Sequence, residues 1–414
     1  MQGQTLLDQL NDTAVIHPTE APTDAAPIMA KKWNQIKTKY FTLNFGAAMF
    51  LDYNIPHQDD NNIEQVGKID DAVELRAQRI ILSGNLLFFK RPWRYMISGN
   101  YNGMDANTGS DAFSIIDLNL EVPFGKYGWL TVGKQKEGVG HEYVAPGSQL
   151  TWTERASGVP ALIKQRNYGV RYSNSILENR MTYTFGVFNS WVEKGNKNSF
   201  ADNGMQLTSR VTYLPIFESA RELLHVGAGW RYTDAVGDKL SYKAKPEANT
   251  APSFISTGSF DANAANTLML EAMGVKGPVS FYTEYMNAFV NSKIHNNPNF
   301  NYWQVGASWF ITGENRNYNK QTGSLGKLIP KRNFKLLKKN VGGPGAFEVG
   351  TRYTKSNFVA GQIDGGKFGR FTTALSWFPN AHFRYEINYG VSKLDKGGIA
   401  GNANFLQFRA QFEL

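Results

Sequence analysis

Apolar and polar residues alternate along most of this chain, and residues 404–414 show the pattern most clearly. Side chains of an extended strand point to opposite faces in turn, so this segment predicts a strand with one apolar and one polar face. The apolar face holds Leu406, Phe408, Ala410, Phe412 and Leu414, and the polar face holds Gln407, Arg409, Gln411 and Glu413. The pattern recurs over lengths of about 10 residues, which a strand tilted across a bilayer needs.

Sixteen segments predict strands of this kind. They lie near residues 40–52, 71–84, 93–103, 112–122, 127–136, 165–176, 179–191, 205–214, 222–234, 265–275, 278–290, 300–312, 345–355, 367–378, 381–391 and 404–414. With both chain ends placed in the periplasm, the long connections at 53–70, 137–164, 191–204, 235–264 and 391–404 face outside. Most periplasmic connections are short, as is typical of outer-membrane barrels, and 313–344 is the exception.

These patterns predict an all-β fold, a single transmembrane antiparallel β-barrel of about 16 strands with long extracellular loops. A soluble protein of several packed sheets also alternates, but its strands would supply more apolar residues for a thick core. No run of 18 apolar residues is present, so no transmembrane helix is predicted. We expect the polar residues 1–39, which include three prolines, to form a flexible periplasmic lead-in, and residues 40–414 to form the barrel domain.

The formal net charge of +9 leaves two interpretations open, a basic surface facing acidic lipids or a lumen that attracts anions. The absence of cysteine excludes thiol catalysis, disulfides and cysteine-based zinc sites. Arg or Lys facing lipid at mid-bilayer costs ~2–4 kcal/mol, so charged strand residues are expected to face the lumen. The lumen should then be polar and mixed in charge, with a modest basic excess.

Basic residues on the predicted inner faces and around the third outer loop are the candidate pore-lining, anion-binding residues. Sixteen strands enclose an aqueous channel, so loop 137–164 is expected to fold inward and narrow it, although an ordinary surface loop stays possible. The candidates are Arg76, Arg94, Lys134, Lys136, Arg155, Arg166, Arg171, Arg210, Arg352 and Arg370. The alternative for each is a carboxylate pair that only supports the wall, as for Glu348 with Arg352 or Arg384 with Glu386.

The connection 313–344 is rich in lysine and arginine, and Glu314 is its single acidic residue. A run of like charges is usually a solvated face. In a periplasmic connection of a barrel, the same run could also fold back and form a basic exit from the lumen.

Two segments carry a resemblance to a known family. Trp309–Tyr318, WFITGENRNY, and the following Gly345–Tyr353, GAFEVGTRY, resemble the C-terminal part of phosphate-selective porins of the O and P type. Weaker matches are VELRAQRIILSG at 73–84, VGKQK at 132–136 and TER at 153–155. The resemblance covers residues 40–414.

The resemblance implies a sixteen-stranded barrel in the outer membrane of a Gram-negative bacterium, commonly trimeric, that passes small anions such as phosphate. It also implies that the third loop folds inward and that Arg76, Lys134, Lys136, Arg155 and Arg352 line the path. Glu137, Glu142 and Glu154 lie among the basic residues of that loop. Their negative charges argue against strict selectivity for phosphate. A general, weakly selective porin therefore stays open as an alternative.

Other functions are less well supported by the residues. The six histidines lie in no HExxH or nucleophile-elbow motif, so no enzyme, cofactor or metal is expected. His57 with Asp59 and Asp60 could bind a metal, but a solvated loop is the expected environment. The expected partners are small anions, outer-membrane lipid and lipopolysaccharide, and two further copies of the chain, with no nucleic acid. A non-conducting barrel that binds a partner through its loops is the remaining alternative.

Overall fold

Sixteen long strands form one closed antiparallel sheet in a computed structural model, which describes residues 33–101, 113–164, 166–189, 204–335 and 342–414. In chain order the strands are β1 Thr42–Gln58, β2 Ala72–Leu86, β3 Trp93–Tyr101, β4 Phe113–Pro123, β5 Trp129–Gln135, β6 Asn167–Ile176, β7 Met181–Asn189, β8 Met205–Ser219, β9 Glu222–Asp234, β10 Ala264–Lys276, β11 Val279–Asn291, β12 Asn299–Phe310, β13 Ala346–Ala360, β14 Ile363–Asn380, β15 Phe383–Lys396 and β16 Ile399–Glu413. Each strand pairs with the next, and β1 pairs with β16 to close the barrel. The predicted sixteen-stranded barrel is confirmed.

The two faces of the wall differ as the alternation predicts. Along β15, Ile387 and Tyr389 are exposed on the outer face, whereas Arg384, Glu386 and Asn388 are buried on the inner face. An outer face of this kind suits acyl chains, and an inner face of this kind needs polar partners. No helix among the described residues is long and apolar enough to span a bilayer.

The predicted outer loop at 391–404 is wrong. β15 continues to Lys396 and β16 begins at Ile399, so a two-residue turn joins them. Along this extension the outward side chains are the charged Lys393 and Asp395, while Leu394 is buried inside. The strand pair therefore continues beyond the apolar band of the outer surface. In this region the outward side chains are charged and contact water, and the inward side chain is apolar.

Short helices and hairpins occupy the connections. The helices are α1 Asp60–Val66, α2 His141–Val144 and α3 Gly158–Leu162, and 3₁₀ turns lie at Gly125–Tyr127, Gly147–Gln149 and Val236–Asp238. Two-residue strands pair Lys239–Leu240 with Phe260–Asp261, Lys243–Ala244 with Ile255–Ser256, and Tyr318–Asn319 with Ser324–Leu325. Residues 1–32 of the predicted lead-in lie outside the described residues, and Gln35–Lys37 pairs with β1.

The described residues of three connections enter the barrel. Loop L3 (136–166) and loop L5 (235–263) enter from the end opposite the termini, and segment 311–345 enters from the terminus end. L3 and L5 share a buried apolar core with inward side chains of the wall, namely Phe300, Phe358, Phe368, Phe405 and Leu394. This core differs from the uniformly polar lumen that the sequence predicts, because aromatic inward positions near the strand ends pack on the loops rather than on water.

Candidate permeation pathway

Loop L3 is held across the lumen by arginines of the wall, of which Arg352 and Arg409 are buried and Arg76 is partly exposed. The Arg352 guanidinium lies 3.0 Å from the Glu142 carboxylate of L3, and Arg76 lies 2.7 Å from Glu154. Arg409 also contacts Glu154, at 3.0 Å. Because an unpaired buried charge is costly, each of these pairs fixes the loop against the wall. The predicted inward fold of the third loop is confirmed, and these contacts are its cause.

L5 is fastened to the same wall through Glu247. The Glu247 carboxylate pairs with Arg352 and lies 3.9 Å from Arg370. It also accepts a hydrogen bond of 3.1 Å from the Ser157 amide of L3. Arg352 and Arg370 are almost fully buried under the two loops, so they act as anchors.

Segment 311–345 reaches L3 from the opposite side. Arg316 pairs with Glu348 of β13 and donates to the Thr151 hydroxyl at 2.7 Å. The Leu328 amide donates to the Gln149 side-chain oxygen at 3.0 Å. The segment therefore folds back into the lumen, which was one of the two alternatives for this lysine-rich connection. Its hydrogen bonds to Thr151 and Gln149 support L3 from the side of the termini.

Among the described residues, two cavities lie between L3 and the wall, where strands β1–β8 and β16 contribute to their lining. The larger has a volume of about 180 Å³ and the smaller about 80 Å³, and both are lined by Lys136, Pro146 and Arg166. Nine lining residues are cationic: Arg76, Arg79, Arg94, Lys136, Arg155, Arg166, Arg171, Arg210 and Arg409. Four are acidic: Asp117, Glu121, Glu154 and Glu413. The open part of the lumen thus has a clear basic excess.

The basic cluster is the group of Arg79, Lys136, Arg155, Arg166 and Arg171 around the junction of the two cavities. Arg166 pairs with Asp117 at 3.2 Å, whereas the other four make no ion pair with any described residue. Lys136 donates to the backbone carbonyls of Val144 and Ala145 at 2.9 and 3.0 Å. Carbonyl oxygens satisfy a donor but leave its charge uncompensated, so the cluster keeps a net positive field.

Arg155 and Arg171 are held in the same way. Arg155 donates to the carbonyls of Glu142 and Ala145 at 3.0 and 2.9 Å, and Arg171 donates to the carbonyl of Lys136 at 2.9 Å. Burial, followed by the neighbouring Arg155 and Arg166 charges, lowers the pKa of the Lys136 ammonium well below its usual range. An anion beside the cluster would offset this repulsion, with each unit-charge contact at ~5 Å worth roughly 3 kcal/mol at an effective dielectric near 20.

Residues 51–414 match the family described as phosphate-selective porin O and P. The chain belongs to this family. The porin is an outer-membrane channel of a Gram-negative bacterium. Family and fold indicate a channel rather than an enzyme.

Solved outer-membrane barrels share the fold at low sequence identity. A loop L8 deletion mutant of OmpT from Vibrio cholerae is 13% identical, with 91% of this chain and 100% of that chain covered and a TM-score of 0.54. An anion-selective porin from Comamonas acidovorans is 12% identical, with 90% and 100% covered and a TM-score of 0.54. OprB from Pseudomonas putida is 10% identical, with 91% and 94% covered and a TM-score of 0.54. These likenesses show the fold alone.

One sequence relative is an uncharacterized protein of Caulobacter vibrioides, 27% identical over 203 residues. The match spans 48% of this chain and 38% of the length of that protein. It adds no functional information beyond the family.

The structure divides the predicted pore-lining residues of the porin into groups. Lys136, Arg155, Arg166 and Arg171 meet in the basic cluster. Arg76, Arg94 and Arg210 line the cavities but pair with Glu154, Glu121 and Glu271, respectively. Arg352 and Arg370 lie outside both cavities, beneath L3 and L5.

Lys134 differs from its predicted place. It lies on the outer face of β5, directly opposite Tyr168 of β6, and its ammonium is 5.3 Å from the Tyr168 ring. Val132 is exposed on the same face. Lys136 has the same parity, but β5 ends at Gln135, so the turn into L3 carries Lys136 inward. A long side chain near a strand end keeps its charge in water beside the lipid headgroups.

Arg79 belongs to the basic cluster but is not among the predicted pore-lining residues. Strict alternation from Arg76 places Arg79 outside. A β-bulge shifts the pairing of β2 with β1 at this point, so that Phe50 faces Ala77 while Leu51 faces Leu75. The bulge brings both arginines to the lumen. The sequence does carry a signal of the bulge. The outward apolar residue before it, Val73, has an odd number, whereas the outward apolar residue after it, Ile80, has an even number.

One of the two proposed wall pairs is wrong and the other is confirmed. Glu348 pairs with Arg316, and Arg352 pairs with Glu142 and Glu247. Residues four apart along a strand lie about 13 Å apart, which is too far for a direct contact. Arg384 and Glu386, two apart on one face, do pair.

Proposed function

We propose that this porin lets small anions of the phosphate class diffuse passively through the outer membrane along the basic cluster. The observation that carries the proposal is the charge of the two cavities. Cationic groups outnumber carboxylates there, and Arg79, Lys136, Arg155 and Arg171 make no ion pair with described residues. Several weak sites in a row attract an anion and still release it, which conduction requires.

One structural neighbour, an anion-selective porin from Comamonas acidovorans, agrees with the proposal. We also propose that the chain assembles as a homotrimer in contact with outer-membrane lipid and lipopolysaccharide. OmpT of Vibrio cholerae, a structural neighbour, is known in a trimer form. The same proposal treats residues 40–414 as the pore-forming domain and residues 1–39 as its periplasmic lead-in.

A general, weakly selective porin is the second candidate. Asp117 and Glu154 line the same cavities and bring negative charge to the path, and Asp117 pairs directly with Arg166 of the basic cluster. In that case chloride and phosphate would pass without competing for a site.

Competition in planar bilayers separates the two candidates. Chloride current through the purified porin is measured while phosphate is added at constant ionic strength. The anion-selective proposal expects millimolar phosphate to reduce the chloride current, and expects Lys136→Gln to require a higher phosphate concentration. A chloride current that phosphate does not reduce supports the weakly selective pore, and a bilayer with no current steps contradicts both.

A further inference from the structure

Three metal-ligating side chains meet where L3 packs against β9 and β10. His141 belongs to α2 of L3, His225 to β9 and Glu271 to β10, and all three are buried. One ligand atom from each lies within 4.8 Å of the other two. The permeation pathway described above uses none of them.

Two of the three groups are already oriented. The His225 Nε2 atom lies 2.9 Å from the Glu271 carboxylate, and its Nδ1 atom lies 2.6 Å from the Tyr318 hydroxyl. Arg210 donates to the same carboxylate at 3.0 Å. A histidine held through its second nitrogen and a carboxylate held by a separate donor are the outer-shell arrangement of protein metal sites.

The Tyr318 hydroxyl can form a hydrogen bond with His225 both in the absence and in the presence of a bound cation. Without a cation, the hydroxyl donates to Nδ1 and Nε2–H donates to Glu271. With a cation between Nε2 and the carboxylate, Nδ1 carries the proton and donates to the hydroxyl oxygen. The imidazole proton moves from Nε2 to Nδ1 by exchange with water, and the hydroxyl hydrogen rotates, because a tyrosine oxygen both donates and accepts.

His141 supplies the independent observation that points to a ligand. It is 1% exposed, and neither ring nitrogen has a hydrogen-bond partner among the described residues. Its ring centre lies 5.2 Å from that of His225. Buried polar groups are normally satisfied, so an orphaned imidazole beside a second imidazole and a carboxylate needs an explanation.

We propose that His141, His225 and Glu271 bind one divalent transition-metal ion, with Zn²⁺ the best match to two imidazoles and a carboxylate. Bonds of ~2.0–2.2 Å in a tetrahedral site place ligand atoms about 3.4 Å apart, so His141 must approach by roughly 1 Å and the His225–Glu271 pair, now 2.9 Å apart, must open by roughly 0.5 Å. His141 can make that movement because no hydrogen bond holds its side chain. The ion would join L3 to β9 and β10, and a water or small anion would complete its coordination.

The neighbouring Arg210 is the main argument against the site. Its charge compensates Glu271 and opposes a second cation. The carboxylate has enough lone pairs to accept from Arg210 and ligate a metal together, so the affinity is reduced but the geometry is retained.

The test is Zn²⁺ titration of the full chain, refolded in detergent without an affinity tag and stripped with a chelator. Isothermal calorimetry gives affinity and stoichiometry, and Co²⁺ absorption reports tetrahedral ligation. We expect one ion per chain in the wild type and at least a tenfold weaker affinity in His141→Ala. His57→Ala, which removes an exposed histidine of β1, is the matched control and should bind as the wild type does.

His141→Ala breaks no hydrogen bond, and heat-dependent migration on gels verifies its fold. His141→Gln serves as a second variant, with the same expected loss. Failure of the wild type to bind Zn²⁺ at micromolar concentration overturns the proposal. Equal binding by the wild type and both His141 variants also overturns it. Ion selectivity is not the readout, so this result is independent of the proposed function.

Discussion

Lys134 and Lys136 offer a matched pair for testing the basic cluster. They lie two residues apart, but Lys134 faces outward beside Tyr168, whereas Lys136 lines both cavities. We therefore compare Lys136→Glu and Arg155→Glu with Lys134→Glu. All three substitutions change the formal charge of the protein equally, so a difference between them reports position rather than net charge.

The size of the effect follows from the distance between the cluster and a passing anion. One unit charge at ~5 Å and an effective dielectric near 20 contributes roughly 3 kcal/mol, and reversal of its sign doubles the change. Mobile ions reduce this value, since the Debye length is about 10 Å at 0.1 M salt and about 3 Å at 1 M. We expect about 1.4 kcal/mol to remain at low salt, which is a tenfold change in the anion-to-cation permeability ratio.

The assay is the reversal potential of single channels in a planar bilayer under a potassium chloride gradient. Lys136→Glu and Arg155→Glu should shift it toward cation preference, more at 0.1 M than at 1 M salt, and Lys134→Glu should leave it within error of the wild type. Equal shifts in all three variants would show that overall charge sets selectivity. An unchanged potential in Lys136→Glu and Arg155→Glu would refute the placement of the cluster on the path.

Three further predictions concern how L3 is held. A Cβ atom at Gly306 would overlap the Trp152 ring of L3, so Gly306→Ala should displace the loop and raise single-channel conductance or noise, while Gly274→Ala, with no atom within 4 Å, should not. Arg352→Met leaves the buried Glu142 without an ion pair among the described residues and leaves Glu247 with only the 3.9 Å contact to Arg370. It should cost ~3–5 kcal/mol, measured as the free energy of guanidinium unfolding, while Lys68→Met at an exposed pair should cost little; equal costs would contradict the anchoring role. Burial alone would raise the pKa of Glu154, but Arg76 and Arg409 lower it to about 2, so its contribution is complete above about pH 4.5 and is lost as the pH falls toward 2. Channel noise should therefore stay constant from pH 7 to pH 4 and rise below about pH 3, and a rise near pH 4.5 would show that Glu154 is not held by these arginines.

The barrel could be predicted from the sequence because lipid imposes one rule on every strand. A residue such as Ile387 must be apolar where it faces acyl chains, and its neighbours Glu386 and Asn388 are free to be polar. The rule fails where the constraint ends. Lys393 and Asp395 lie beyond the lipid, so the alternation of apolar and polar residues predicts that β15 ends at residue 391, whereas the strand continues to Lys396. The bulge at Arg76 reverses the parity of β2, so the alternation of the sequence does not indicate that Arg79 faces the lumen.

The site was harder to predict because its contacts join distant parts of the chain. Arg352 contacts Glu142 and Glu247, and Arg316 contacts Thr151, across sequence separations that no local pattern encodes. Residue type and loop position were sufficient for Lys136 and Arg155. They were not sufficient to separate the anchoring arginines, which have carboxylate partners, from the arginines that face the cavities without one.

The most direct test of the account is the reversal potential of the wild-type porin at low salt under a potassium chloride gradient. The basic cluster predicts stepwise channels that favour chloride over potassium. A cation-favouring potential, or a folded barrel that inserts but never conducts, would contradict the claim that anions pass along the gap between L3 and the wall.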